Sequence, residues 1–368
     1  MIGSLRLSSF YQRFLPEFQD ALQTFISSGQ YIGGRIVEDF EEKVRCLIGA
    51  EHAVGCKSGT SALQLSLLAA GIGKGDEVIT VANTYYATAW SILSVGAKPI
   101  FCDVSPIDGL MDPDKLEGCI TDRTRAVLPV HLYGYSAPLD DIRQVAAGHR
   151  LTVIEDCAHA FGSSYKGNRL GSDSDFACLS FYPTKNLGAF GDAGMVLTKS
   201  ANAAKLMRSL RYFGDDERTS FIPHALHARL DPLQACLLSV ELDHFDEIDR
   251  RRRHLAFSYH KAISDRVRCL PNVTERSVTP YVFPFFVIER AALLAFFQER
   301  DLQLQVHYAT NLDQLPEFGR ATPGRLPHTE RHNSEVVSLP VHPSIGDEEV
   351  RFICDCLIEF LNKSGSHQ

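Results

Sequence analysis

The chain has 368 residues, 45% of them hydrophobic and 22% charged, and a net charge of −8 at pH 7. That length exceeds what one compact core needs and the composition is that of a folded globular protein, so two domains are expected, with disorder only local. The acidic balance excludes an electrostatic pull towards nucleic acid or an anionic membrane surface. No apolar run is long enough to span a bilayer, and Met1 to Tyr11 lacks the apolar core of a signal peptide. The 10 cysteines are scattered. Several, such as Cys102 between Pro99 and Asp103, sit in apolar strand-like runs, so they read as small buried hydrophobes in a reducing, cytoplasmic compartment. Neither a disulfide framework nor a metal site is expected.

Residues 1–28 read as an N-terminal arm with one helix, its apolar positions including Phe14, Phe18, Leu22 and Phe25. From about residue 50 to residue 200, short apolar runs alternate with amphipathic stretches. Ala53 to Cys56 is a strand that ends in the loop Lys57 to Ser61; a helix follows, with Leu63, Leu67 and Ala70 on one face. Gly71 to Asp76 is a turn and Glu77 to Val81 the next strand. Thr84 to Val95 is helical, Lys98 to Val104 and Ala126 to Leu132 extended, Leu139 to Ala147 helical and Leu151 to Ile154 extended. After Arg211 the pattern changes. A polar segment, Gly214 to Thr219, precedes a long helical stretch from Pro232 to about Ile263. On it, Arg250 to Arg253 follow Asp246, Glu247 and Asp249 at spacings that pair on a helix, which predicts a solvated, ion-paired face. Val282 to Ile288 is extended and Ala291 to Arg300 helical. The expected division is an arm at 1–28, a large domain at 29–245 and a smaller C-terminal α/β domain at 246–368.

Strands separated by helices in this rhythm predict an α/β fold with a mainly parallel sheet covered on both faces. Ligands of such sheets bind beyond the carboxyl ends of the strands. Four segments fall there: Ser58 to Thr60, Asn83 to Tyr86, Asp156 to His159 and Ser180 to Asn186. Ser58-Gly59-Thr60 closes a strand and opens a helix, which suits either a plain helix cap or a phosphate cradle of free N–H groups. Asp156 ends an apolar run, and a carboxylate there needs a donor or cation. A protonated pyridine nitrogen and an arginine both qualify. Lys185, in Leu179-Ser180-Phe181-Tyr182-Pro183-Thr184-Lys185-Asn186, lies at a strand end among aromatics. Desolvation there would lower its pKa and make it a nucleophile or Schiff-base partner. Such a lysine, an upstream acid and a phosphate loop are together the parts list for pyridoxal phosphate.

Several segments extend the pattern: Ser58 to Leu63, Gly71 to Ile79, Val130-His131-Leu132-Tyr133-Gly134, Val153 to Ala160, and Ser180 to Gly194. They closely resemble the DegT/DnrJ/EryC1/StrS family of sugar aminotransferases, over nearly the whole chain from Gly29 to Pro343. The resemblance implies a pyridoxal-phosphate-dependent transferase of fold type I, similar to aspartate aminotransferase, working as a homodimer with shared active sites. It implies that Lys185 is the Schiff-base and catalytic lysine and that Asp156 partners the pyridine nitrogen. His159 falls near the ring hydroxyl; Gly59, Thr60 and Ser180 match phosphate ligands. Tyr85 falls where an aromatic stacks on the cofactor, with Tyr86 the lesser candidate, although Tyr85 alone would read as a core aromatic.

Two departures stand out. His227 replaces the asparagine of the family's Asn-x-Arg-Leu-Asp, which reaches the neighbouring subunit's phosphate. Asp313 replaces the last histidine of a His-Tyr-Pro-x-Pro-x-His stretch that here starts at His307-Tyr308. The implied activity moves an amino group from an amino acid, with glutamate expected, to a nucleotide-linked 3- or 4-keto-6-deoxyhexose. Asn83 to Thr88 look more like 3-aminotransferases and His159 more like 4-aminotransferases. Related dehydratases carry histidine where this chain has Lys185, and a non-catalytic, cofactor-binding regulator would not need that nucleophile.

Overall fold

The computed structural model describes residues 7–214, 222, 224–271, 277–318 and 324–364. Seven strands form the main sheet: β1 (His52–Cys56), β2 (Glu77–Val81), β3 (Lys98–Cys102), β4 (Thr124–Val127), β5 (Thr152–Asp156), β6 (Phe176–Ser180) and β7 (Gly194–Thr198). Their spatial order is β1-β7-β6-β5-β4-β2-β3. The pairings from β3 through β6 are parallel, and only β7 runs against both of its neighbours. Six carboxyl ends therefore share one edge.

Both faces are covered, as the near-continuous apolar strands require. Along β6, Phe176 and Cys178 turn to one face, where Leu63, Leu65 and Leu67 of helix Gly59–Ala69 pack with Val54, Ile154 and Val196. Ala177 and Leu179 turn to the other, against Val37, Phe40, Val44 and Ile48 of helix Arg35–Ile48. The period of two is thus buried on both sides. A second, antiparallel sheet joins β8 (Arg268–Cys269), β9 (Phe283–Phe286) and β10 (Val336–Leu339).

The structure departs from the sequence expectations where contacts override local pattern. The arm holds two helices, Leu7–Tyr11 and Leu15–Ser28, joined by a 3-10 turn at Gln12–Phe14. Phe10, Tyr11, Phe14 and Phe18 are buried, but Leu22 and Ile26 are exposed. The long helix is two, Pro232–Asp243 and Phe245–Ile263, with the bend at His244. The arm holds that bend: Phe14 stacks on the His244 ring at 4.2 Å, and Glu17 accepts a hydrogen bond from it at 2.6 Å. The helix expected from Thr84 starts at Tyr86, because Tyr85 is extended. The strand expected to reach Leu132 stops at Val127; a turn at Leu132–Gly134 follows, with Tyr133 left-handed at φ 60°. The polar segment Gly214 to Thr219 lies, beyond Gly214, outside the described residues.

The arginine run is only partly solvated. Arg253 pairs with Asp249 at 2.9 Å and Arg251 with Asp347 at 2.6 Å. Arg252, however, is buried, because a helix face three residues wide cannot present four consecutive side chains to water. All ten cysteines are free thiols, and no described helix is long and apolar enough to cross a membrane. Phe14→Ala should cost about 3 kcal/mol by leaving an aromatic-sized cavity under the arm; urea unfolding measures it.

Candidate active site

All four strand-end segments meet in one cavity of about 370 Å³ at the carboxyl edge of the main sheet. Ser58, Gly59 and Thr60 line one wall, Thr84 and Tyr85 another, and Asp156, His159, Ser180 and Lys185 the floor and side. Ser58 caps helix Gly59–Ala69 by accepting from the Ser61 amide at 3.1 Å. The cap reading is therefore correct as local structure, but it satisfies only one amide. The N–H groups of Gly59 and Thr60 have no partner among the described residues and belong to the cavity wall. Glycine is needed at 59 for close approach, since a Cβ there would lie 2.7 Å from Cβ of Ser180. A helix N-terminus with free N–H groups beside a serine hydroxyl is a fitting anion cradle.

Asp156 ends β5 and is buried. One carboxylate oxygen accepts from the Ala158 amide at 3.0 Å and the other from the Thr88 hydroxyl at 2.8 Å. Among the described residues no arginine pairs with it, which removes the ion-pair alternative. Burial raises its pKa, against the pull of the Ala158 and Thr88 hydrogen bonds and the Lys185 charge. A buried acid with neutral donors on both oxygens still lacks a counter-charge, and a protonated ring nitrogen would supply one.

Lys185 sits in the turn after β6, its amide bonded to the Tyr182 carbonyl at 2.8 Å. Its Nζ lies 4.6 Å from the centre of the Tyr281 ring, face on, and makes no salt bridge among the described residues. The side chain is partly buried and lines the cavity. Burial lowers its pKa to about 8, with Asp156 pulling the other way. It is half-free as a neutral amine near that pH, which an ordinary lysine is not.

His159 is stacked on Tyr281 at 4.1 Å. Its Nδ1 accepts from the Tyr133 amide at 3.4 Å, so in the neutral ring Nε2 carries the proton and faces the Tyr308 hydroxyl at 3.2 Å. Burial first, then the Lys185 and His307 charges, lowers its pKa well below the usual range, so the ring is neutral. Tyr85 is 45% exposed at the cavity mouth, its hydroxyl donating to that of Tyr86 at 2.7 Å. It is no core aromatic. Tyr86 does not line the cavity.

Three aromatic wall residues were not among the expected cofactor ligands, although two of them, His307 and Tyr308, open the stretch the family resemblance singles out. Tyr281 precedes β9 in an ordinary Thr-Pro-Tyr segment; Tyr308 and His307 come from the remote end of the chain. Tyr133 joins them: its amide holds His159, its carbonyl accepts from the Tyr281 amide at 3.0 Å, and its hydroxyl donates to the His307 carbonyl. Thr88 was missed too, though its place one turn beyond Thr84 could have flagged it.

The remaining candidates lie elsewhere. His227 lines a neighbouring hollow with Ile32, Lys57 and Arg229, stacked on Phe213 at 5.2 Å, and only Asp192 is common to that hollow and the cavity. Asp313 occupies a 3-10 turn, Leu312–Gln314, and does not line the cavity. Metal-ligating side chains do converge once, at His131, Glu155 and Cys157. Glu155 there already takes Arg143 at 3.0 Å and Ser174 at 2.8 Å as well as His131, which makes a buried structural network.

Comparison with known proteins agrees with this geometry. The model of the DegT/DnrJ/EryC1/StrS aminotransferase family matches residues 14–358. The chain belongs to this family. Within it, a dTDP-3-amino-3,6-dideoxy-alpha-D-galactopyranose transaminase of Aneurinibacillus thermoaerophilus is 38% identical over 99% of this chain and 100% of its own. A "pleiotropic regulatory protein" of Geobacillus stearothermophilus is 37% identical over 98% of each chain. Among solved structures, S. venezuelae DesV in complex with a ketimine intermediate superposes with a TM-score of 0.92 at 34% identity, covering 96% of this chain and 97% of that one. NtdA from Bacillus subtilis, with bound cofactor PMP, superposes at 0.88 and 29% identity, covering 95% and 82%. The fold of this family member is thus that of the pyridoxal-phosphate-dependent aminotransferases, and pyridoxal phosphate is its cofactor.

The rate at which Lys185 of the apoprotein reacts with an amine reagent should rise with pH about a midpoint near 8. Removing the carboxylate with Asp156→Asn takes away the charge that favours the ammonium, so the midpoint should move lower. Reagent labelling followed by peptide mass spectrometry reads both. Gly59→Ala should weaken cofactor retention by about tenfold or more, since the helix start must recoil from Ser180; equilibrium dialysis measures this.

Proposed function

We propose that the chain transfers an amino group from an amino acid, with glutamate as donor, to a nucleotide-linked keto sugar at C-3, and that Lys185 is the group that moves the proton. The observation that carries this reading is the pairing of a desolvated lysine with a buried, arginine-free aspartate across one cavity. Gly59 and Thr60 amides and the Ser180 hydroxyl would hold the phosphate, Asp156 a proton on the ring nitrogen, and Tyr85 one ring face. His159, neutral with its proton on Nε2, would lie beside the ring hydroxyl. Bound pyridoxal phosphate supplies an aldehyde and a ring that takes up the electron pair left when a carbon loses its proton. Lys185, as a neutral amine, would take a proton from the donor's alpha carbon and, as an ammonium, give it back, which a pKa near operating pH favours. The aromatic wall of Tyr281 and Tyr308 excludes water around that exchange.

Choice of C-3 draws support from the 3-amino product named for the Aneurinibacillus relative. A homodimer with shared sites draws support from large apolar side chains left exposed, including Tyr182 at the cavity and Ile32 at the adjoining hollow. Ile32 and His227 share the hollow that adjoins the cavity, where a second copy's cofactor phosphate would meet His227 and Arg229. The free thiols suit a cytoplasmic enzyme. The arm, large domain and small domain keep the proposed limits 1–28, 29–245 and 246–368.

A regulatory reading is favoured by the names of two relatives, the Geobacillus protein and an erythromycin biosynthesis sensory transduction protein of Saccharopolyspora erythraea, and one experiment separates the two readings. Glutamate added to the cofactor-loaded protein should bleach its visible band and release a keto acid; an unchanged band would favour the regulator. Lys185→Ala should lower turnover by at least about 100-fold and leave no borohydride-stable label at position 185. Retained activity would refute the assignment. NMR of the aminated product of a nucleotide 3-keto sugar, beside its 4-keto isomer, locates the new C–N bond.

A further inference from the structure

Two buried charged side chains stand outside the cavity, and the reaction proposed above uses neither. Glu241, on helix Pro232–Asp243, is 4% exposed and Arg252, on helix Phe245–Ile263, is 2% exposed. Among the described residues neither enters a salt bridge. Burial pushes Glu241 up to about 8 and Arg252 down to about 10. Groups so costly to desolvate need compensation, and here it comes from main-chain and Tyr11 hydrogen bonds together with the attraction each charge exerts on the other without a direct ion pair.

Their hydrogen bonds converge on the turn that carries Lys185. Arg252 donates through Nη2 to the Lys185 carbonyl at 3.3 Å. Through Nη1 it reaches the carbonyls of Pro280 and Tyr281, each at 3.4 Å. Its Nε has no partner among the described residues. Glu241 accepts from the Gly188 amide at 3.1 Å. The Tyr11 hydroxyl, from the arm, shares its proton between the Gly188 carbonyl at 3.2 Å and Glu241 at 3.3 Å. The turn is compact in its own right, since a Cβ on Gly188 would meet the Pro183 carbonyl oxygen at 2.5 Å.

We propose that Arg252, supported by Glu241 and Tyr11, is a positioning residue that braces the reactive lysine from behind. The guanidinium ties the main chain of Lys185 to that of Tyr281, the ring over which the amine lies. Glu241 and Tyr11 fasten the same turn three residues on, at Gly188. Side-chain placement in the cavity then depends on the arm and on two helices that never touch substrate. This rests on Lys185 being the reactive amine.

Arg252→Met, Arg252→Lys and Tyr11→Phe test the brace in the cofactor-loaded protein. The first readout is amide hydrogen exchange across residues 182–190, the second the separate values of kcat and KM. Arg252→Met should speed exchange in that segment by about tenfold and lower kcat by about tenfold or more, with KM for the amino donor changed less than about threefold. Arg252→Lys, still a cation within reach of the carbonyls, should recover most of both. Tyr11→Phe should produce the same local change, weaker. Wild-type exchange and kcat in Arg252→Met would overturn the proposal. So would equal damage in Arg252→Met and Arg252→Lys with exchange raised along the whole chain, the mark of general destabilisation. If Arg252→Met does not fold, Tyr11→Phe decides: faster exchange confined to the turn supports the brace, and unchanged exchange overturns it. Should Lys185→Ala retain turnover, the function assigned to Lys185 fails, while the exchange result still reports on the turn.

Discussion

A cation and an anion face one cavity without pairing to each other, and the rest of the site is arranged around keeping them apart. Asp156 spends its two oxygens on the Ala158 amide and the Thr88 hydroxyl; Lys185 lies over the Tyr281 ring instead of reaching for a carboxylate. Had they met, the amine would be held protonated and the acid neutralised, and neither could serve a bound pyridinium. Separation leaves a lysine depressed to about 8 and a carboxylate that awaits a positive partner.

Keeping two such groups in place falls to the sheet edge and the elements packed behind it. Parallel strands bring Asp156 and Ser180 to the same edge on neighbouring strands. Reversed β7 lets Gly194 pass beneath the Ser58 carbonyl, so close that a Cβ would lie 2.4 Å away. The phosphate cradle is therefore packed directly against the start of β7 and, through Gly59, against Ser180 at the end of β6. Burial of Arg252 and Glu241 extends this logic outward, since both hold the lysine turn through main-chain atoms that no side-chain substitution within the turn can imitate.

The aromatic wall shows how distant parts of the chain are recruited. Tyr133, held at a positive φ, offers its amide to His159, its carbonyl to the Tyr281 amide and its hydroxyl to the His307 carbonyl. One residue thus sets the tautomer of His159 and the placement of Tyr281 and His307. A left-handed backbone is unfavourable for a bulky side chain, and three satisfied polar groups compensate for it.

Local pattern was enough to read the alternation of strands and helices, the parallel sheet and the four segments at its carboxyl edge. Burial on both faces demands continuous apolar strands, and ligand-facing residues must follow them. Lys185 and Asp156 were legible for the same reason. The individual roles of Tyr281, Tyr308, Tyr133 and Thr88 were not read from the sequence, because they arise from contacts between segments remote along the chain. The tertiary structure also decided against an unbroken helix at His244 and against a wholly solvated arginine face. Helical spacing predicted pairs for Arg253 and its neighbours, but only packing could place Arg252 against the main chain of residues 185, 280 and 281. Periodicity states which side of an element is apolar; it takes the assembled fold to say which buried polar group meets which carbonyl.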